Sequence, residues 1–315
     1  MAPARLIHTA QALVDNVINL PTLPQRGQNT VARSQAFYAG GAVTVLIAAA
    51  RSGAQCLHAG SVGTGPNGQL VIDALTSNGV AISSPLVEEI DTGVCLVFVE
   101  ATAERTFVTV QGAERRVSVE SLATSQPQAG DYVCLSGYTL QGQTREPLLA
   151  WLANLPTGVE VVLDPGSAFA ELDQATQLAA LAATTIWTSN AEEAEALTSD
   201  PAMVTSAAKV SQFLTATAMA IVRDGPAGCA IHVNHQTAVI PSYPQKAIDT
   251  NGAGDTHTGV MMAGLLQGLD PVEAARRANA AGAIKVTRAG LAATPRRDEI
   301  DAFLADQLAD QDGGE

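Results

Sequence analysis

Apolar and polar positions follow two alternating patterns through most of this chain. Short apolar runs at 131–136, 159–163, 184–188, 219–223 and 228–233 read as strands, and the intervening 144–154, 168–181, 191–198 and 203–215 read as helices. Strand–helix repetition at this spacing predicts a parallel, doubly wound α/β sheet with right-handed crossovers. Nearer the start, 5–20 mixes apolar and polar positions. Pro21, Pro24 and Gly27 interrupt it, and 28–38 reads as a polar extended segment. An Ala-rich helix is expected over 42–52 with Gly53 as its stop, then a strand over 55–59 and a helix over 67–78 ending at Asn78-Gly79. Further helices are expected from near Gly252 to Gly268, from Pro271 to about 287, and over 297–309. The acidic residues 310–315 are expected to form a disordered tail.

Between 91 and 112 the pattern changes. Val94, Leu96 and Phe98 alternate with smaller residues, a charged turn falls near Ala103-Glu104-Arg105, and Phe107, Val108 and Val110 follow. This is a hairpin that breaks the αβ alternation, so it is expected to project as part of a small separate sheet, with 13–33 supplying its other strands. The predicted organisation is a core of 1–12, 34–90 and 113–309, with a small sheet of 13–33 and 91–112. Two copies are expected to associate through that sheet.

Composition narrows the class. The chain has 315 residues, 47 % of them hydrophobic, with no apolar run of 18, which points to a globular protein outside the membrane. Net charge is −14, and lysine occurs only at 209, 246 and 285. A nucleic-acid or anionic-membrane surface needs basic clusters, and none is present. The first residues lack the apolar core of an export signal. Cys56, Cys95, Cys134 and Cys229 are widely separated without metal-ligand spacing, so buried reduced thiols and a cytoplasmic location are expected. His8, His58, His232, His235 and His257 form no triad pattern, and His232 and His235 are expected on a strand and its turn.

The stretch richest in chemistry is Asp249-Thr250-Asn251-Gly252-Ala253-Gly254-Asp255. Small residues at 252–254 let backbone N–H groups approach an anion, and the helix that follows directs its positive end at the same point. Asp255 adds a carboxylate in the first turn. An anion cradle beside a base suits phosphoryl transfer. A second candidate is Gly63-Thr-Gly-Pro-Asn-Gly68, a strand–GxGxxG–helix match of the dinucleotide-binding type, which would make the protein an oxidoreductase. No Gly-Lys dipeptide occurs, so a P-loop is excluded. Asn190-Ala-Glu-Glu193 reads locally as an N-cap with a capping box. Arg223-Asp-Gly225-Pro-Ala-Gly228 is a strand-end turn whose glycines permit close backbone approach.

The segment 249–255 closely resembles the second signature of the PfkB (ribokinase-like) sugar kinases, matching every fixed position with Asn251 at the variable one. The resemblance runs from Asp15 to the last helix. It implies a ribokinase-like core whose β-lid closes over a sugar site, and an ATP-dependent phosphotransferase with Asp255 as base and the 252–254 amides as anion hole. In this family Asn190 and Glu193 order magnesium-bound water, the 223–228 turn and Asn279 lie at the nucleotide, and Asp15 with Gly40-Gly41 binds the acceptor. Here Arg223 replaces a hydroxyl residue of the nucleotide turn, and the family's Asn after Gly40-Gly41 is missing, with Thr44 or Val45 in its place. A K⁺ ion is implied between 249–251 and 286–290, with Asp249 as ligand; the alternative is that Asp249 caps its turn and Arg288 fills the space. A plain carbohydrate is the preferred acceptor. The runner-up is a nucleoside, for which Phe98 and Phe107 offer no evident stacking pair.

Overall fold

The computed structural model describes residues 3–102, 104–290 and 293–312. The chain opens with β1 (Arg5–His8), β2 (Ala12–Asn19), β3 (Ser34–Gly41), α1 (Ala42–Arg51), β4 (Gln55–His58), α2 (Pro66–Thr76) and the short β5 (Ala81–Ile82). A hairpin of β6 (Val94–Val99) and β7 (Arg105–Val110) follows; its predicted turn residue Ala103 lies outside the described residues. Next come α3 (Val119–Ala123), β8 (Tyr132–Ser136), α4 (Arg145–Leu152), β9 (Glu160–Asp164), α5 (Gln174–Ala183), β10 (Ile186–Asn190), α6 (Ala191–Thr198), α7 (Met203–Val210) and β11 (Met219–Arg223). The hairpin β12 (Cys229–Val233) and β13 (Gln236–Ile240) precedes α8 (Ala253–Leu266), α9 (Pro271–Val286) and α10 (Arg297–Asp312). The last helix thus continues past 309 to Asp312; of the predicted tail, 313–315 lie outside the described residues.

Nine strands form one sheet in the order β13-β12-β11-β10-β9-β8-β1-β4-β5. From β5 to β11 neighbours are parallel, and the β12–β13 hairpin adds an antiparallel edge. Asn234 and His235 turn that hairpin with φ of 50° and 62°, the two-residue geometry whose twist matches the strands. One apolar cluster joins α1, α8, α9 and α10 to one face, and a second joins α4 to α7 to the other. Helices α1 and α8 pack closely because position 259 is glycine: a Cβ there would lie 2.3 Å from the Val45 carbonyl oxygen. The expected helix over 168–181 is divided, because the Asp173 side chain accepts from the Thr176 amide at 2.9 Å and caps a new start for α5.

The small sheet has the order β3-β2-β6-β7, with β2 parallel to β6 and the outer pairs antiparallel. Only β2 comes from the segment 13–33. The remaining strand is Ser34–Gly41, which the sequence places in the core behind a polar extended stretch. Most of β3 is exposed or half-buried, so it needs few apolar residues and shows little alternation.

The GxGxxG match resolves differently from a dinucleotide site. The Asp91 carboxylate accepts from the amides of Asn67 and Gly68, both at 2.9 Å, at the N-terminus of α2. A Cβ on Gly65 would lie 2.4 Å from Asp91 Cγ. A pyrophosphate would need the position that the chain's own carboxylate fills. Nearby, the buried Glu114 accepts from Gly93 N at 2.7 Å and Gly112 N at 2.8 Å, closing the base of the β6–β7 hairpin.

Candidate active site

The carboxyl ends of β9, β10 and β11 face the N-terminus of α8, where ligands sit in open α/β sheets. Gly252 makes that helix start possible: its φ is 73°, a left-handed conformation that costs glycine least, and its carbonyl accepts the first helical bond from Thr256 N at 2.9 Å. Among the described residues the amides of Gly252 and Gly254 have no partner, while Ala253 N donates to Thr250 O at 3.3 Å. Two of the three predicted anion-hole amides are therefore open, and the third is held loosely.

Asp255 is half-buried in the first turn of α8, with its pKa raised to about 7. Burial is the main cause, and the negative charge of Asp164 adds to it. Arg223 opposes the rise, and Asp15 and Glu193 contribute further. A carboxylate that changes charge near neutral pH is matched to taking a proton from a hydroxyl.

Arg223 lies at the centre of these acids. Its Nε donates to Ser189 O at 3.1 Å, and its Nη1 donates to Gly254 O at 2.7 Å and Thr258 Oγ1 at 2.9 Å; Nη2 is 3.9 Å from Asp164 Oδ2. The residue that departs from the family turn thus fixes a permanent positive charge against the anion cradle. Asp164 was not singled out from the sequence, although an Asp at a strand end before Pro165-Gly166 is a recognisable signal. Burial raises its pKa, against which Arg223 and the Gly166 amide act.

Asn190 and Glu193 form the capping box read from the sequence. Asn190 Oδ1 accepts from Glu193 N at 2.7 Å, and Glu193 Oε2 accepts from Asn190 N at 2.9 Å. The pKa of Glu193 is raised, first by burial and then by Asp164. Among the described residues no group of three or more His, Cys, Asp or Glu side chains could hold a metal. The chemistry of Glu193 beside Asp164 fits a magnesium ion held through phosphate and water, because Mg²⁺ keeps several waters.

On the small sheet, Asp15 is half-buried, and burial raises its pKa to about 6. A Cβ on Gly40 would lie 2.3 Å from Asp15 Oδ2, so glycine there makes room for the carboxylate. Gly41 caps α1 with φ 62°. Thr44 departs from its predicted substrate role. It is 2 % exposed inside α1 with its hydroxyl sealed from solvent and unpartnered among the described residues, so a sugar has no path to it in this conformation.

The nucleotide-side residues divide. Gly225 is exposed, with open space where a Cβ would be. Gly228 serves the β11–β12 turn: φ is 95°, its amide donates to Gly225 O, and a Cβ would lie 2.1 Å from Ile240 O. Asn279 also has a structural task, its Nδ2 donating to Ile240 O and Pro241 O, both at 3.0 Å. Asp249 accepts from Asn251 N at 2.9 Å and Gly290 N at 3.0 Å. It also pairs with Arg105 at 3.2 Å, a residue of β7 that reaches from the small sheet to the anion cradle and that the sequence marked only as part of a charged turn.

The profile of the pfkB family carbohydrate kinases matches residues 9–297. An uncharacterized sugar kinase of Escherichia coli K12, YegV, is 30 % identical over 293 residues, covering 92 % of this chain and 90 % of that protein. The ribokinase of Haemophilus influenzae is 28 % identical over 296 residues, covering 92 % and 95 % of the two chains. The structure of Arabidopsis thaliana ribokinase complexed with ribose and ATP superposes with a TM-score of 0.77 at 22 % identity, covering 96 % of this chain and 99 % of that one, a likeness in fold. The chain belongs to the PfkB family of carbohydrate kinases, phosphotransferases with a hydroxyl acceptor. No helix among the described residues is long and apolar enough to cross a membrane.

Proposed function

We propose that this kinase transfers the γ-phosphoryl group of ATP to a hydroxyl of a small carbohydrate. The observation that carries the proposal is Asp255, poised near neutral pH beside the open amides at the start of α8. Asp255 removes the acceptor hydroxyl's proton as the new O–P bond forms and the bond to the departing ADP oxygen breaks. The Gly252 and Gly254 amides, joined by Ala253 as its loose bond to Thr250 gives way, stabilise the charge on the moving phosphoryl. Arg223 adds a positive charge against the same cradle, and the backbone of Gly225 lies open for phosphate approach. Asn190 and Glu193 would hold the water of a Mg²⁺ ion, which would neutralise phosphate charge when bound. The small sheet covers the acceptor and excludes water, which would otherwise hydrolyse ATP.

Asp15 accepts from the acceptor's hydroxyls, and Gly40 and Gly41 shape its surroundings. Asp15→Asn is expected to raise the acceptor KM about 10- to 100-fold, the worth of hydrogen bonds to a charged group. The KM for ATP should barely change, and equal shifts in both would remove Asp15 from the sugar site. An ADP-release screen over hexoses, pentoses, sugar phosphates and nucleosides tests the whole reading, with a carbohydrate expected to give the highest kcat/KM. Adenosine or inosine as the best acceptor would select the nucleoside alternative.

The four separate, buried thiols suit a cytoplasmic protein. The exposed apolar residues Phe37, Phe107, Val108 and Val110 of the small sheet favour pairing of two copies through it. Sedimentation should give a dimer that Val108→Glu splits; a wild-type monomer at micromolar concentration rules this out.

A further inference from the structure

The junction where the family resemblance implies a potassium ion does not fit one. Asp249 Oδ1 already accepts from Asn251 N and from Arg105, and Oδ2 from Gly290 N. The Val286 carbonyl accepts from Ile248 N at 2.7 Å and Asp249 N at 3.1 Å. A hard cation needs several free oxygens, and among the described residues the Asp249 carboxylate and the Val286 carbonyl are already engaged by N–H groups and a guanidinium. Arg288, the other candidate to fill the space, turns away and pairs with Glu299.

Besides Arg105, this junction carries a second, buried positive charge, Lys285. It is 0 % exposed, the second largest of the fully buried side chains among the described residues, in the last turn of α9. Its Nζ is 3.4 Å from the Arg288 carbonyl oxygen, its one hydrogen bond among the described residues. A buried ammonium is costly unless charges or dipoles compensate it. Burial lowers its pKa; Asp249 and Asp255 act in the opposite sense, and Arg105 adds to the lowering.

We propose that the Lys285 ammonium is a built-in monovalent cation that positions the anion cradle, so that this kinase needs no potassium. The route from it to the cradle is continuous. Lys285 holds the Arg288 carbonyl, the 287–290 turn presents Gly290 N to Asp249, and Asp249 holds Asn251 N, next to Gly252. Lys285 is a positioning residue, and its effect on turnover rests on the kinase reading above.

The test measures thermal unfolding and steady-state kinetics in K⁺, Na⁺ and tetramethylammonium chlorides at equal ionic strength. Wild-type Tm and kcat/KM should be the same in all three; a potassium-specific gain in either overturns the proposal. Lys285→Met should lose about 10-fold or more in kcat with a smaller change in the KM for ATP, as expected when a cradle is misplaced rather than removed. In Lys285→Ala, added ethylammonium or K⁺ should raise both Tm and kcat, which a purely space-filling lysine would not allow. Wild-type behaviour of Lys285→Met in every salt also overturns it. If both variants fail to fold, the wild-type cation series still decides. If no acceptor gives turnover, the unfolding measurements separate a failure of the kinase reading from a failure of this one.

Discussion

Asp255→Asn should fold, bind ATP, and lose about 10²–10⁴ in kcat, the usual cost of removing a general base. It should also be more stable than the wild type at pH 8. The folded-state pKa of Asp255 is raised from 3.8 to about 7, so folding favours the protonated form. Its stabilising contribution is complete below about pH 4 and is lost as pH rises through about 7. At pH 8 the ionised group sits close enough to Asp164, Asp15 and Glu193 to be disfavoured by each. Replacing it by a neutral amide should relieve on the order of 1–2 kcal/mol, after discounting for partial exposure. Urea unfolding at pH 4 and pH 8 checks this, with little gain at the lower pH and the full gain at the higher one. Wild-type turnover in the variant would sink the assignment of the base, and a loss of stability at pH 8 would sink the electrostatic account.

Arg223→Met should be nearly as damaging, and its pH profile should reveal why. The guanidinium lowers the pKa values of Asp255, Asp164 and Glu193 at once. Without it all three rise, so the ascending limb of kcat/KM, expected through about pH 7 in the wild type, should move to higher pH. At pH 7 the rate should fall about 10²–10³-fold, comparable to losing one preorganised donor to a developing charge. Part of that loss should return at pH 9 as Asp255 ionises again. Arg223→Lys should recover little, because an ammonium cannot contact Ser189 O, Gly254 O and Thr258 Oγ1 together. An unchanged midpoint in Arg223→Met would mean that Arg223 does not set the charge state of Asp255.

The doubly wound core was legible because both faces of its central strands are covered, which forces continuous apolar runs between helical stretches. Two of the strands that escaped notice obey a weaker constraint. β3 lies in a small sheet with much of its surface in water, and β13 is an exposed edge strand, so neither needs an apolar run. The Gly252–Asp255 turn was legible because its demands are local, a left-handed residue followed by a helix start. Asp164 and Arg105 reach the site from elements remote in sequence, and no local spacing announces such a meeting. Thr44, Gly228 and Asn279 were singled out from resemblance; the Thr44 hydroxyl is sealed, and the Gly228 amide and the Asn279 Nδ2 are engaged by backbone carbonyls.

The two carboxylates at the base of the small sheet have a mechanical consequence. Asp91 ties the entry to β6 onto the start of α2, and Glu114 grips Gly93 and Gly112, where the hairpin leaves and re-enters the core. Both strand roots are thus clamped at a single fulcrum, and the far end meets the rest of the protein through the exposed Arg105–Thr250 contact and the Asp249 ion pair. A plate hinged in this way should swing as a lever before it frays. Because the stiff end is buried and the loose end is charged, raising the salt concentration should release the tip long before it loosens the hinge.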